Sequence, residues 1–106
     1  MAKFIMVVTS AAKDGRDQEY NDWYDNTHIH DICSIPGVVS GKRFDSVEPS
    51  PNPQPAPYLA IYEIELEEDN PGPVLAEMMR KSQAGEMSMT DSLGFEKAQI
   101  WMYKPH

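Results

Sequence analysis

The amino-acid sequence predicts an α+β fold with the element order β-α-β-β-α-β. Three observations carry that prediction. Short runs rich in β-branched and aromatic residues stand at 3–9, 38–45, 58–66 and 98–103. Two longer stretches, about 16–35 and 70–83, repeat their apolar residues at helical spacing. Pro36-Gly37 and a cluster of prolines at 47–57 break the chain between them.

Lys3 to Thr9 is apolar on both faces, as in a strand covered on both sides. Its core, Phe4-Ile5-Met6-Val7-Val8, is too short to span a bilayer and lacks the flanks of a secretory signal. Ala11 to Gly15 reads as a loop. Asp14 or Gly15 then leads into a helix from about Arg16 to Ile35, with Asp17 and Glu19 near its positive N-terminal end. Pro36-Gly37 stops it. Val38 to Asp45 alternates apolar and polar residues, a second strand. The segment VEPSPNPQPAP, residues 47–57, holds five of the nine prolines. It cannot donate regular ladder hydrogen bonds and should form an extended, semi-rigid loop, either a plain hairpin connection or a lid or dimer contact.

Tyr58 to Leu66 is a third strand. Tyr58, Ala60, Tyr62, Ile64 and Leu66 line one face; Leu59, Ile61, Glu63 and Glu65 line the other. Glu67-Glu68-Asp69 is a solvated turn. Asn70, with Pro71 or Pro73 in the first turn, opens a second helix to about Gln83. Its Val74, Leu75, Met78 and Met79 read as core packing. Ala84 to Phe95 is irregular or a short extra helix, and Ala98 to Tyr103 closes the chain. This is the split βαβ order of a ferredoxin-like fold, with both helices on one face of a four-stranded antiparallel sheet. The first and third strands are apolar on both faces, so the helix-free face needs a cover. A second subunit, sheet packed on sheet, is the economical one.

Length and charge bound the function. A chain of 106 residues implies one domain, 1–106. A net charge of −8, with nine scattered Lys and Arg, argues against nucleic acid. The single Cys33 forms no internal disulfide and fits a reducing cytoplasm. No GxGxxG, P-loop, GxSxG or HExxH is present, so no nucleotide or flavin cofactor is expected. On a helix His28 and His30 point about 200° apart and cannot share an ion. No other His or Cys cluster offers a metal site.

The chemistry concentrates in WYDNTHIHD, residues 23–31. On a wheel of about 100° per residue, Tyr20, Trp23, Tyr24, Thr27, His28 and Asp31 share one broad arc, the arc expected to face the sheet. A helix built only for packing would carry Leu or Ile there. Burying these groups unpartnered would cost roughly 1–3 kcal/mol per neutral group. They therefore either satisfy one another or line a partly wet cavity. Asp25 and Asp31 lie three residues either side of His28. A carboxylate there orients the imidazole and raises its basicity, as a general base near neutral pH requires. The competing reading is a structural histidine bonded to a carbonyl or carboxylate.

FIMVV followed by EYNDWYDNTHIHDICSIPGVVSGKRF resembles the EthD-like branch of the dimeric α+β barrel superfamily. The matching residues are Trp23, Tyr24, His28, Pro36, Gly37, Val38, Arg43 and Phe44, within the first 45 positions. Beyond them the likeness rests on strand order and the closing aromatic strand. The resemblance implies a homodimer whose two sheets form a central barrel, with a pocket between sheet and helices in each subunit. Members include polyketide cyclases, lactone isomerases, cofactor-free oxygenases and haem-degrading enzymes. By position, His28 is the implied acid–base residue. The chain departs from many relatives in having His30 where they have proline, and in the length of its proline-rich loop.

Supporting roles follow from chemistry. Tyr24, aided by Tyr62, would donate to a carbonyl oxygen. Arg43 would hold a carboxylate or phenolate, or else form a surface ion pair. Trp23, Phe44 and Tyr58 would supply apolar walls, and Thr27 and Asp31 complete the expected substrate surroundings. The expected function is cofactor-independent acid–base catalysis, of lyase, isomerase or cyclase type, on a small hydrophobic or aromatic carbonyl or phenolic substrate. No cofactor, nucleic acid or membrane partner is expected. Two alternatives stand beside it: a cofactor-free aromatic monooxygenase using Trp23 and Asn26, and a non-catalytic small-molecule carrier or stress-response dimer.

Overall fold

A computed structural model describes residues 1–106. β1 (Ala2–Ser10) pairs antiparallel with β3 (Tyr58–Leu66) on one side and β4 (Gln99–Tyr103) on the other. β2 (Val38–Asp45) pairs antiparallel with β3, so the sheet order is β2-β3-β1-β4. Each helical connection skips one strand, and the fold is ferredoxin-like α+β as expected.

Register decides which side chains meet. Phe4 opposes Ile64, Met6 opposes Tyr62 and Val8 opposes Ala60. These share the helix side of the sheet, because strand residues alternate faces. Met6 and Tyr62 are 0% exposed there and join Tyr20, Tyr24, Ile32, Ile35 and Val74 in the core. Gly41 makes room for this arrangement. A Cβ on it would lie 2.8 Å from the Tyr62 ring, so only glycine lets that ring cross β2.

The first helical stretch is three pieces run together: α1 (Asp17–Trp23), a π-helical turn (Tyr24–His28) and α2 (Ile29–Cys33). The π turn was not expected, and it reorients the residues the sequence points to. Gly37 reverses the chain into β2 with φ of 97°, a left-handed value that glycine adopts without strain. α3 (Gly72–Gln83) opens with the Asn70 side chain accepting the Gly72 N–H at 2.9 Å. After α3 the chain runs irregularly as a strap, residues 86–94. It is tied to the loop after β1 by Lys13 N–H to the Ser92 carbonyl (2.7 Å) and Gly94 N–H to the Ala11 carbonyl (2.8 Å). A 3₁₀ turn, Phe95–Lys97, then leads into β4.

The proline-rich loop joins β2 to β3 without regular structure, and its Gln54–Pro57 end leans over Thr9, Phe44 and Leu59. On the helix-free face, Ile5, Val7, Leu59 and Ile61 are only half-buried, while Phe44, Trp101 and Tyr103 are exposed. No helix is long and apolar enough to cross a membrane.

Candidate functional site

A cavity of about 220 Å³ lies between the helix side of the sheet, the first helical stretch, α3 and the strap. The sheet contributes Val8 and Ile100, α3 contributes Met78 and Ser82, and the strap contributes Met87, Met89 and Leu93. Tyr20, Trp23, Tyr24 and His28 form the remaining wall.

The π turn builds that wall. On a straight α-helix, positions five apart point about 140° away from each other. A π turn closes i→i+5 bonds and so rotates less per residue, which brings Trp23 and His28 closer to one side. Their rings stack at 4.4 Å with planes 19° apart. Tyr24 meets the imidazole edge-on at 4.8 Å.

Nδ1 of His28 is buried and has no hydrogen-bond partner. A structural histidine satisfied by a carbonyl or carboxylate is therefore not what stands here. Burial is the largest influence on this imidazole and lowers its pKa to about 4; Arg43 pushes the same way, while Asp31 opposes them. The expectation that a nearby carboxylate leaves His28 titrating near neutrality is corrected: desolvation outweighs it. At neutral pH the ring is uncharged.

The Tyr24 hydroxyl lies 2.8 Å from the Tyr62 hydroxyl, both buried. Burial pushes Tyr24 up to about 12 and Tyr62 higher still, so both stay protonated. Tyr62 stands behind Tyr24 rather than in the cavity wall. Arg43 lies 4.4 Å over the outer face of the Tyr24 ring and bonds Asp25 Oδ1 (2.9 Å) and Asn21 Oδ1 (2.8 Å). It does not line the cavity, so its expected grip on a substrate anion gives way to the ion-pair alternative.

The other expected substrate contacts divide by geometry. Trp23 lines the cavity and donates its Nε1–H to the Ser88 carbonyl at 3.3 Å. Asp31 sits at the rim, its Oδ2 accepting the Ser88 N–H at 3.4 Å. Thr27 is half-buried outside the lining. Phe44 is on the opposite face of the sheet, opposed to Leu59. Tyr58 donates to Asp17 at 2.5 Å, away from the cavity. Met78, Met87, Met89 and Ser82 are lining residues the sequence does not announce. Met78 carries the periodicity of a core residue, and the strap has no periodicity at all.

The wall carries no charged side chain. Haem does not fit: nothing cationic faces the cavity to meet two propionates. No group of three His, Cys, Asp or Glu is placed to hold a metal ion. Burial raises the Cys33 thiol, so it is not activated.

No family model matches the sequence, and no curated protein does. Solved structures share the fold. One is a candidate monooxygenase from Shewanella loihica PV-4, with TM-score 0.66 and 10% identity, covering 99% of this chain and 95% of that one. Another is the heme-degrader MhuD from Mycobacterium tuberculosis, with two hemes bound in its active site (0.66, 10% identity, 96% and 94% covered). A third is an EthD family protein from Bacillus halodurans C-125 (0.63, 16% identity, 100% of both chains). At such identities the likeness is one of fold: the chain is a ferredoxin-like α+β protein with the same architecture as these three.

Proposed function

We propose that this chain is a small-molecule enzyme working by cofactor-independent acid–base chemistry, of lyase, isomerase or cyclase type. Its substrate is a small hydrophobic or aromatic carbonyl or phenol. The observation that carries this reading is the uncharged His28 imidazole, unpartnered at Nδ1, in the wall of an apolar cavity. His28 accepts a proton at Nε2, since Nδ1 is the buried nitrogen, from carbon next to a carbonyl, or from a phenol. The Tyr24 hydroxyl receives the Tyr62 O–H and turns its own hydrogen to the developing oxyanion. Arg43 and Asn21 act from outside, holding the Tyr24 ring in place. One free, half-buried Cys33 suits a cytoplasmic setting.

The test uses 2-tetralone, an uncharged two-ring ketone, in D₂O. Exchange of its C1 protons, followed by NMR, should run faster with the protein than in buffer of the same pH. No acceleration at any pH from 5 to 9 rejects the reading.

A second reading, a cofactor-free aromatic monooxygenase, is favoured by Trp23 on the cavity wall. It requires oxygen uptake with a quinol. A binding-only protein would show retained 2-tetralone affinity with no exchange.

We further propose that a second copy covers the helix-free face. Val7, Ile61, Phe44 and Trp101 form an apolar surface that a monomer would leave wet. Trp101→Glu sets a carboxylate on that face beside Val7. Sedimentation velocity should show a dimer for the natural chain and a monomer for the variant. A natural chain that is monomeric at tens of micromolar contradicts the proposal.

A further inference from the structure

The strap carries the least-secured part of the cavity wall. Its far end is pinned to the loop after β1, and Arg16 holds Asp91 at 2.6 Å. Between Glu86 and Thr90 the ties to the first helical stretch both fall on one residue, Ser88, one on its N–H and one on its carbonyl. Trp23 holds its carbonyl at 3.3 Å and Asp31 holds its N–H at 3.4 Å. Both bonds are longer than the usual 2.9–3.0 Å or so, hence weak. Ser88 is exposed and lies between Met87 and Met89, which wall the cavity. Gly85 at φ of 71° offers a hinge at the near end.

The same two latching side chains flank His28. Trp23 stacks on its ring, and Asp31 follows it by three residues. With the latch closed, the Asp31 carboxylate is committed to Ser88 while Nδ1 of His28 has no partner. A buried polar nitrogen without a partner costs roughly 1–3 kcal/mol. A carboxylate on that nitrogen would remove the cost and orient the ring, as carboxylate–histidine pairs do elsewhere.

We propose that residues 86–90 are the door of the cavity, and that release of the Ser88 N–H hands the Asp31 carboxylate to Nδ1–H of His28. This rests on reading His28 as the proton acceptor. Closed, the imidazole is a weak base in an apolar wall; opened by an entering ligand, it gains a carboxylate partner and becomes a stronger one. Asp31 is thus a positioning residue. Only two charged groups bear on the imidazole, Asp31 from its own helix and Arg43 from β2. The residues packed round it from α3, the strap, β1 and β4 are uncharged.

The experiment titrates the His28 Cε1–H by NMR in three chains: natural, Ser88→Pro, and Ser88→Pro combined with Asp31→Asn. Proline removes the N–H that Asp31 holds. Ser88→Pro should raise the His28 pKa by about one unit or more, the effect of an opposite charge brought close. The double variant should lose that rise. An unmoved titration in Ser88→Pro overturns the proposal, and so does an equal rise in the double variant, which would mean simple wetting of the ring. Should Ser88→Pro not fold, Trp23→Phe loosens the same residue at its carbonyl, keeps an aromatic face on His28, and is read the same way. The two readings separate cleanly. If the titration responds but 2-tetralone exchange is absent, catalysis falls and the door stands; if exchange is present and the titration is unmoved, the door falls alone.

Discussion

His28→Gln should abolish accelerated 2-tetralone exchange, lowering kcat/KM by about 10²–10⁴-fold, the usual worth of a positioned general base. Glutamine keeps the size and a polar end but cannot take up a proton. A variant exchanging at the natural rate would remove His28 from the mechanism. The same substitution has a second readout in stability. The native imidazole titrates at about 4, below the ordinary 6.5, because burial disfavours its charged form. The native chain therefore binds this proton less tightly than the unfolded chain. Stability is full above about pH 6.5, falls as pH drops toward 4, and stays reduced below that. The gap amounts to roughly 3 kcal/mol. Urea unfolding at pH 7 and pH 4.5 should show the natural chain losing most of that amount and His28→Gln losing clearly less. Parallel losses in the two chains would show that the imidazole is not buried as described.

Tyr62→Ala should be the most destabilising single change in the sheet. Its ring is 0% exposed, packed over Gly41 and opposed to Met6. Emptying that volume costs about 3–5 kcal/mol by analogy with buried aromatics. It also strips the Tyr24 hydroxyl of its partner, adding roughly 1–3 kcal/mol. Domains have only about 5–15 kcal/mol to lose, so the variant should sit near unfolding at room temperature. Tyr62→Phe isolates the hydroxyl and should cost only about 1–3 kcal/mol. Urea midpoints for both variants check this. A loss below about 1 kcal/mol for Tyr62→Ala would mean the site refills easily, against close packing.

The strands were legible because their signal is local. The alternation from Tyr58 to Leu66 shows in the middle of the strand, with Ala60, Tyr62 and Ile64 buried and Ile61 and Glu63 between them more open. The helix stop at Pro36-Gly37 was equally plain, since proline and glycine act on their own backbone. The site was legible only in part. A constant 100° per residue placed Trp23, Tyr24 and His28 on the sheet side, and they do line the cavity. The same wheel put Thr27 with them, and the π turn takes it out.

The residue pattern of this chain specifies its element order, its sheet faces and the helix that bears the histidine, since each follows from side chains acting within one turn or one strand pair. Folding alone settled three other matters: Arg43 is occupied outside the cavity, the strap's methionines complete the wall, and His28 is a half-buried, uncharged ring. Those depend on groups far apart in sequence being packed together, where desolvation and long-range contacts, rather than local propensity, set the outcome.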